Sequence, residues 1–239
     1  MKKILIILAS LCVLFSAQLA RADQYNLPQE MGEMLEELFS PESIEVTISD
    51  GGNFAWIEAK GAIIDKMRVE SLKLRAMIET TGGSVRGVDK YDLAKMIMMS
   101  QGELTLLEKD VNILFAGVER DSRGFSDLSF NFTPDGFTAR GVFTAQLLFT
   151  IKIRLQADGV LALRPDGIYV ENIKIFTQGV QTPDGLVSMV SDRINPLLSF
   201  EKIPFPVEFK EIKMTNEAAV LTGYPKPFEG GRTWNWQNK

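Results

Sequence analysis

The 239-residue sequence predicts an α+β fold in which a long, strongly curved antiparallel sheet, a meander, wraps two or three amphipathic helices. Three observations carry this expectation. The first is the stretch "FTARGVFTAQLLFTIKIRL", Phe137 to Leu155, in which no odd position is polar and only Val142 and Leu148 are apolar among the even ones. Period-two alternation over nineteen residues outruns an ordinary strand of about five or six, and a ribbon with one apolar face suits a curved sheet that wraps something apolar. The second is a pair of Pro-Asp-Gly turns, Pro134–Gly136 and Pro165–Gly167, in which Pro sets φ and Gly takes the positive-φ position. The third is helical spacing of apolar residues at a few separate places along the chain.

Element by element, Leu27 to Phe39 reads as a helix. Leu27, Met31, Met34, Leu35 and Leu38 form its apolar stripe, Glu30, Glu33, Glu36 and Glu37 its wet side, and Ser40-Pro41 its end. Ile44, Val46 and Ile48 alternate as a short strand closed by Asp50-Gly51. A strand over Ile57 to Gly61 follows, then one or two more over Ile63 to Met77. There the apolar phase slips from Met67 and Val69 to Leu72 and Leu74, the mark of a bulge. Asp89 is a candidate N-cap for a helix over Lys90 to Gln101 carrying Leu93, Met96 and Ile97, and Val111 to Gly117 reads as a strand.

Leu128, Phe130 and Phe132 lead into the first Pro-Asp-Gly turn and the long ribbon. Ala157-Asp158-Gly159 is expected to turn the ribbon into Val160–Leu163, and the second Pro-Asp-Gly into Ile168–Phe176. A third, Pro183–Gly185, opens a helix through Leu186, Val187, Val190, Ile194 and Leu197, bent or broken at Asn195-Pro196. Strands near Val207–Met214 and Ala218–Thr222 close the fold.

Lys2 and Lys3, an apolar run from Ile4 to Ala17, and small residues in Ala20-Arg21-Ala22 read as a secretory signal cleaved before Asp23. Fourteen residues fall short of the roughly 20 that span a bilayer, and bulky Leu11 before Cys12 does not suit lipidation. The expected organisation is a signal peptide over 1–22, a single domain over 23–229 and a flexible C-terminal tail over 230–239. Export implies a periplasmic or cell-envelope location. Without Lys2, Lys3 and Arg21, 23 basic residues remain against 31 acidic ones, a formal charge of −8. That balance argues against a nucleic-acid partner and a polybasic membrane clamp.

The chain has no histidine, and its one cysteine, Cys12, lies in the signal. A Cys nucleophile, a His base and the usual Cys/His zinc site therefore cannot be built in the exported chain. No serine sits in Gly-x-Ser-x-Gly, and no phosphate loop or dinucleotide fingerprint occurs. Asp121 and Asp127 are the nearest candidate carboxylate pair, but they flank turns and read as solvated loop acids. The expectation is a non-enzymatic protein with no catalytic residue, metal or cofactor. Lys60, Lys73, Arg75, Arg140, Lys152 and Arg154 could meet an anionic headgroup, against the plainer reading of a wet strand face.

In the second half, Gly141, the meander around Ala157-Asp158-Gly159, "RPDGIYV", "INPLL", "IPFPVEFKEIKM" and "AAVLTG" follow one another in an order that resembles the LmeA-type phospholipid-binding family. The earlier "KGAIIDKMRVESLKL" is similar to that family's first strand region. The resemblance covers roughly Ser43 to Gly223 and rests on glycines, turns and alternating apolar positions. It implies a tubular-lipid-binding-like architecture, an exported envelope protein, and a phospholipid or other acyl lipid held in an apolar groove for binding or transport. The polar, Gly-rich Gly82–Gly87 departs from the family pattern.

The candidate groove residues are Phe143, Leu147, Phe149, Ile151 and Ile153 on the ribbon, with Ile194 and Leu197 on the late helix. Trp234 and Trp236, beyond Gly230-Gly231, are candidate peripheral membrane contacts, since indole favours the interface. The alternative is a structural or adaptor envelope protein with a solid core that binds another protein through a sheet edge or apolar patch.

Overall fold

The computed structural model describes residues 27–79, 90–118, 125–146, 150–182 and 184–238. The signal segment, Gly82–Gly87, Asp89, Asp121, Leu147 and Phe149 lie outside the described residues.

Among the described residues the chain is mostly antiparallel sheet with four helices, an α+β arrangement. In order, α1 (Leu27–Phe39) leads to β1 (Ser43–Ile48), β2 (Phe54–Ile64) and β3 (Met67–Ile78). Then come α2 (Lys90–Lys95), β4 (Ile97–Leu107) and α3 (Glu108–Val118). A meander follows of β5 (Phe125–Thr133), β6 (Gly136–Gln146), β7 (Thr150–Arg164), β8 (Gly167–Thr177) and β9 (Val180–Gln181). Finally α4 (Asp184–Ile194) precedes β10 (Leu198–Ser199), β11 (Glu211–Met214), β12 (Ala218–Thr222) and β13 (Arg232–Gln237).

The strands form two sheets rather than the one expected. The larger runs β11-β12-β4-β3-β2-β1-β13, and the second runs β10-β8-β7-β6-β5 with β9 also on β8. Helix α1 buries Leu27, Met31, Met34 and Leu35 against the β1, β2 and β13 side of the larger sheet. Helix α3 packs on β3 and β4 of one sheet and on β5 of the other, so it joins the two. Buried residues from α1 and both sheets, among them Met31, Leu74, Leu161 and Val170, form one continuous apolar cluster.

Helix α1 has the bounds that its stripe dictates, and its last turn closes where Ser40 takes φ 42° and its N–H donates to the Glu36 carbonyl. The phase slip in β3 is real, but it is not a one-sided bulge. Lys60 pairs with Ser71 and Ala62 with Val69, so the register is the same on either side of Gly61. Both strands switch buried face at that point, and Gly61 takes the required turn at φ 63°.

Two elements differ from their sequence reading. The expected helix Lys90–Gln101 stops at Lys95, and the chain continues as β4, burying Ser100, Gly102, Leu104 and Leu106 at period two. Strand β3 offers a full edge from Ser71 to Ile78, and pairing with it outweighs the local helical spacing. Conversely, Val111–Gly117 lies in a helix. Val111 and Phe115 are buried four residues apart while Ile113 between them is 67% exposed, a helical pattern that alternation imitates over so few residues.

The long ribbon is a hairpin. Residues β6 and β7 pair from Phe137–Gly159 to Gln146–Thr150. Because Phe143 pairs with Ile153 and Gly141 with Leu155, odd residues face odd residues and the apolar face continues unbroken across both strands. Ala157-Asp158-Gly159 is not a turn: β7 runs through it to Arg164, with a register shift against β8 between Asp158 and Val160. Both Pro-Asp-Gly turns hold, closing Thr133–Gly136 and Arg164–Gly167. Gly136 has φ 152°, and a side chain there would strike the Gly159 carbonyl. At Gly167 the need is space beside the Leu198 carbonyl, not a positive φ.

The tail expected to be flexible is instead a strand at the edge of the larger sheet. Strand β13 pairs with β1 from Ser43–Gln237 to Ile48–Arg232. Trp234 and Trp236 are half-buried on the core side of this strand, packed against the core cluster.

Candidate apolar cleft

The inner face of the second sheet changes character along its length. Near the α3 end it is solid. Phe115 of α3 stacks on Phe130 with ring centroids 4.6 Å apart, and Phe130 meets Phe137 at 5.5 Å. Phe132, Leu161, Ile168 and Val170 complete this filled end. The edge of β5 there is sealed by side chains of α3: Asn112 exchanges two hydrogen bonds with the Phe130 backbone, and the Phe132 N–H donates to Glu108 at 2.6 Å.

Farther along, the same face opens into an apolar cleft of about 60 Å³. Leu128, Ala139, Leu155 and Ile173 line its floor, and Val190 and Ile194 of α4 form its cover. The volume is well below the roughly 300–1,000 Å³ typical of small-molecule sites. Beyond the cleft the apolar face continues to Phe143 and Ile153, directly opposite each other and only half-buried.

Helix α4 packs on β8. Its C-terminal anchor is Asn195, whose Oδ1 accepts from the Val170 N–H at 2.7 Å and whose Nδ2 donates to the Val170 carbonyl at 2.9 Å and to Ser191 Oγ at 3.0 Å. The chain breaks from helix at Asn195-Pro196 as the Pro dictates.

The candidate residues therefore separate. Ile194 lines the cleft, and Phe143 and Ile153 extend its face. Leu197 does not belong to the late helix. It lies past its end, buried in the core, with its N–H donating to the Ile168 carbonyl. Ile151 pairs with Ala145 in the β6–β7 ladder, and Leu147 and Phe149 lie outside the described residues. Leu128, Leu155, Ile173 and Val190 were missed, although the alternation that marks Leu155 is the same that marks Ile153. Val190 and Ile173 come from a separate helix and strand, and nothing in the sequence announces that these meet β7.

The basic candidates have different surroundings. Lys73 pairs with Glu103 at 3.0 Å, and Arg75 lies over the Phe54 ring at 5.1 Å. Arg140, Lys152 and Arg154 are exposed on the outer face of the second sheet. The densest charge cluster is elsewhere: Arg68 of β3 reaches Glu42, Glu70 and the 3% exposed Asp110 at 2.9–3.0 Å. The hydrogen bond from Arg68 holds Glu70 below the usual carboxylate range, and the Glu70 and Glu42 carboxylates raise Arg68. This cluster ties α3 to β3. Among the described residues no group of three or more His, Cys, Asp or Glu could hold a metal, and no helix is long and apolar enough to cross a membrane.

Comparison with protein-family models, with curated proteins and with solved structures finds no match to this chain.

Proposed function

We propose that this protein binds the acyl chain of a phospholipid or similar lipid, without catalysis, between the second sheet and helix α4. The observation that carries the reading is the continuous apolar face from Phe137 through Leu155 to Phe143 and Ile153, covered over part of its length by a helix and half-open beyond it. At about 60 Å³ the cleft holds no alkyl chain as it stands, so entry requires α4 to lift from Leu155 and Ile173. Val190 and Ile194 then pack against the lipid instead of the sheet. An exported protein working in the periplasm or envelope would meet such lipids directly, and the resemblance to the LmeA-type family points the same way.

The test is native mass spectrometry of the protein purified without detergent, with uptake from liposomes measured beside it. Co-purifying lipid, or saturable uptake, supports the proposal. A lipid-free protein that takes up none from liposomes overturns it.

A second reading is supported by a different surface. Met77 and Met99 face each other across β3 and β4 and are 41% and 51% exposed, with Met98 beside them. Exposed thioethers adapt to varied apolar partners, which suits an envelope adaptor. Substituting Met77 and Met99 with Ser would abolish partner capture on that reading and leave lipid uptake intact on the first.

A further inference from the structure

On the outer face of the second sheet lies an open cleft of about 490 Å³ with a mixed polar and apolar lining, which meets the apolar cleft at Arg140, Gly141 and Leu155. Arg140, Arg154, Gln156 and Gln178 line it, with Asp127 as its acid. Register explains the placement. Arg140 pairs with Gln156 and Val142 with Arg154, so the two arginines are diagonal neighbours on one face of adjacent strands. Lys152 is two residues from Arg154 on the same exposed face.

Like charges placed side by side on a sheet destabilise it, and several strand cations elsewhere in this chain are met by carboxylates. Lys73 meets Glu103, Arg164 meets Glu171, Lys213 meets Glu211, and Arg68 meets three acids. Among the described residues no carboxylate lies within ion-pair distance of Arg140 or Arg154. On a chain with a formal charge of −5 overall, two unanswered guanidiniums in one concavity stand out.

We propose that this cleft is a second binding site, for a phosphate-type anion, with Arg140 and Arg154 as its cationic arms. A guanidinium presents paired N–H donors that match two oxygens of a phosphate group. The amides of Gln156 and Gln178 can donate to the remaining oxygens. Lys152 adds attraction without fork geometry, and Asp127 opposes the anion and limits its affinity. The same chemistry is offered by a lipid headgroup and by a free phosphate or soluble phosphate ester. The guanidinium of Arg154 and the amides of Gln156 and Gln178 line this cleft and not the apolar one, so anion binding can be read apart from lipid uptake.

The experiment is calorimetric titration of the exported chain with inorganic phosphate and with glycerol 3-phosphate. Sedimentation with neutral phosphatidylcholine vesicles and with phosphatidylglycerol vesicles accompanies it. The double variant Arg140→Gln/Arg154→Gln should lose about tenfold or more in affinity, since each arm is a charge-assisted hydrogen bond. Asp127→Asn should bind more tightly, and added salt should weaken every complex. All three side chains are exposed, so the melting temperature should not change, which separates lost binding from lost folding. Binding of the soluble phosphates assigns the site to a free anion, whereas binding of phosphatidylglycerol vesicles alone assigns it to a headgroup. No binding of any probe, or binding that the double variant leaves intact, overturns the proposal. Uptake of a neutral fatty alcohol, measured on the same proteins, reports on the apolar cleft separately.

Discussion

Asn195 pairs with Val170 as a strand residue would, accepting from its N–H at 2.7 Å and donating to its carbonyl at 2.9 Å. Asn112 does the same for Phe130, with bonds of 2.7 and 2.9 Å. A side-chain amide carries one acceptor and one donor group side by side, the same complement as a backbone peptide group. Each asparagine therefore continues a sheet edge where the chain itself has become a helix or is leaving one.

A carboxylate cannot replace this amide. Asn195→Asp and Asn112→Asp keep the acceptor but lose the donor and set a charge beside a backbone carbonyl. Each should destabilise the protein by about 1–3 kcal/mol, the cost of leaving a buried polar group unpaired. Chemical denaturation measures it. Asn195→Asp should also loosen α4, read as faster amide exchange over Val187–Ile194 with the β2–β3 core unchanged.

Arg68 holds Asp110, which is almost wholly buried at the start of α3. Arg68→Met should cost about 3 kcal/mol, because removing one partner leaves a buried charge uncompensated. Arg68→Met combined with Asp110→Leu should cost less than Arg68→Met alone, as measured by urea unfolding of both variants.

The same cluster gives a pH dependence. Glu70 is held below its ordinary value by the hydrogen bond from Arg68. A carboxyl whose folded value lies below its unfolded one adds stability that is present above the unfolded value, about 4.3 for Glu, and lost as pH falls through the lower folded value. Stability should therefore fall with pH below about 4.3. Glu70→Gln should flatten that part of the curve in unfolding experiments run across the acid range.

Gly32 sits on α1 where the Trp234 ring of β13 crosses it, and any Cβ would strike the ring. Gly32→Ala should destabilise by about 1–3 kcal/mol through overpacking. Adding Trp234→Ala should restore part of that loss, because the obstructing ring is gone. The two melting curves decide it: if the double variant melts below the sum of the two single losses, the contact is not the cause.

Ala157 lines the apolar cleft. Ala157→Leu fills that space and should stabilise the empty protein by about 1 kcal/mol, the ordinary gain from filling a cavity. Lipid uptake from liposomes should fall at the same time. Stabilisation with undiminished uptake would place the lipid elsewhere.

Local pattern alone determined much of this protein. The stripe of α1, the alternation of β1, the two Pro-Asp-Gly hairpins and the break at Asn195-Pro196 all follow from neighbours within a few residues, where sterics and turn chemistry act. The single apolar face of β6 and β7 was legible for the same reason. Tertiary structure decided the rest. Residues 97–107 became a strand because β3 had an edge to fill, and Val111–Gly117 became helix because only one side of it is buried. Residues 232–237 are held by pairing with β1, nearly two hundred residues away. The division into two sheets, the meeting of Val190 with Leu155 and the arginine pair across β6 and β7 depend on register and packing between distant segments. Sequence fixes which residues seek burial or pairing; which partner each one finds is settled by the free energy of the whole assembled core.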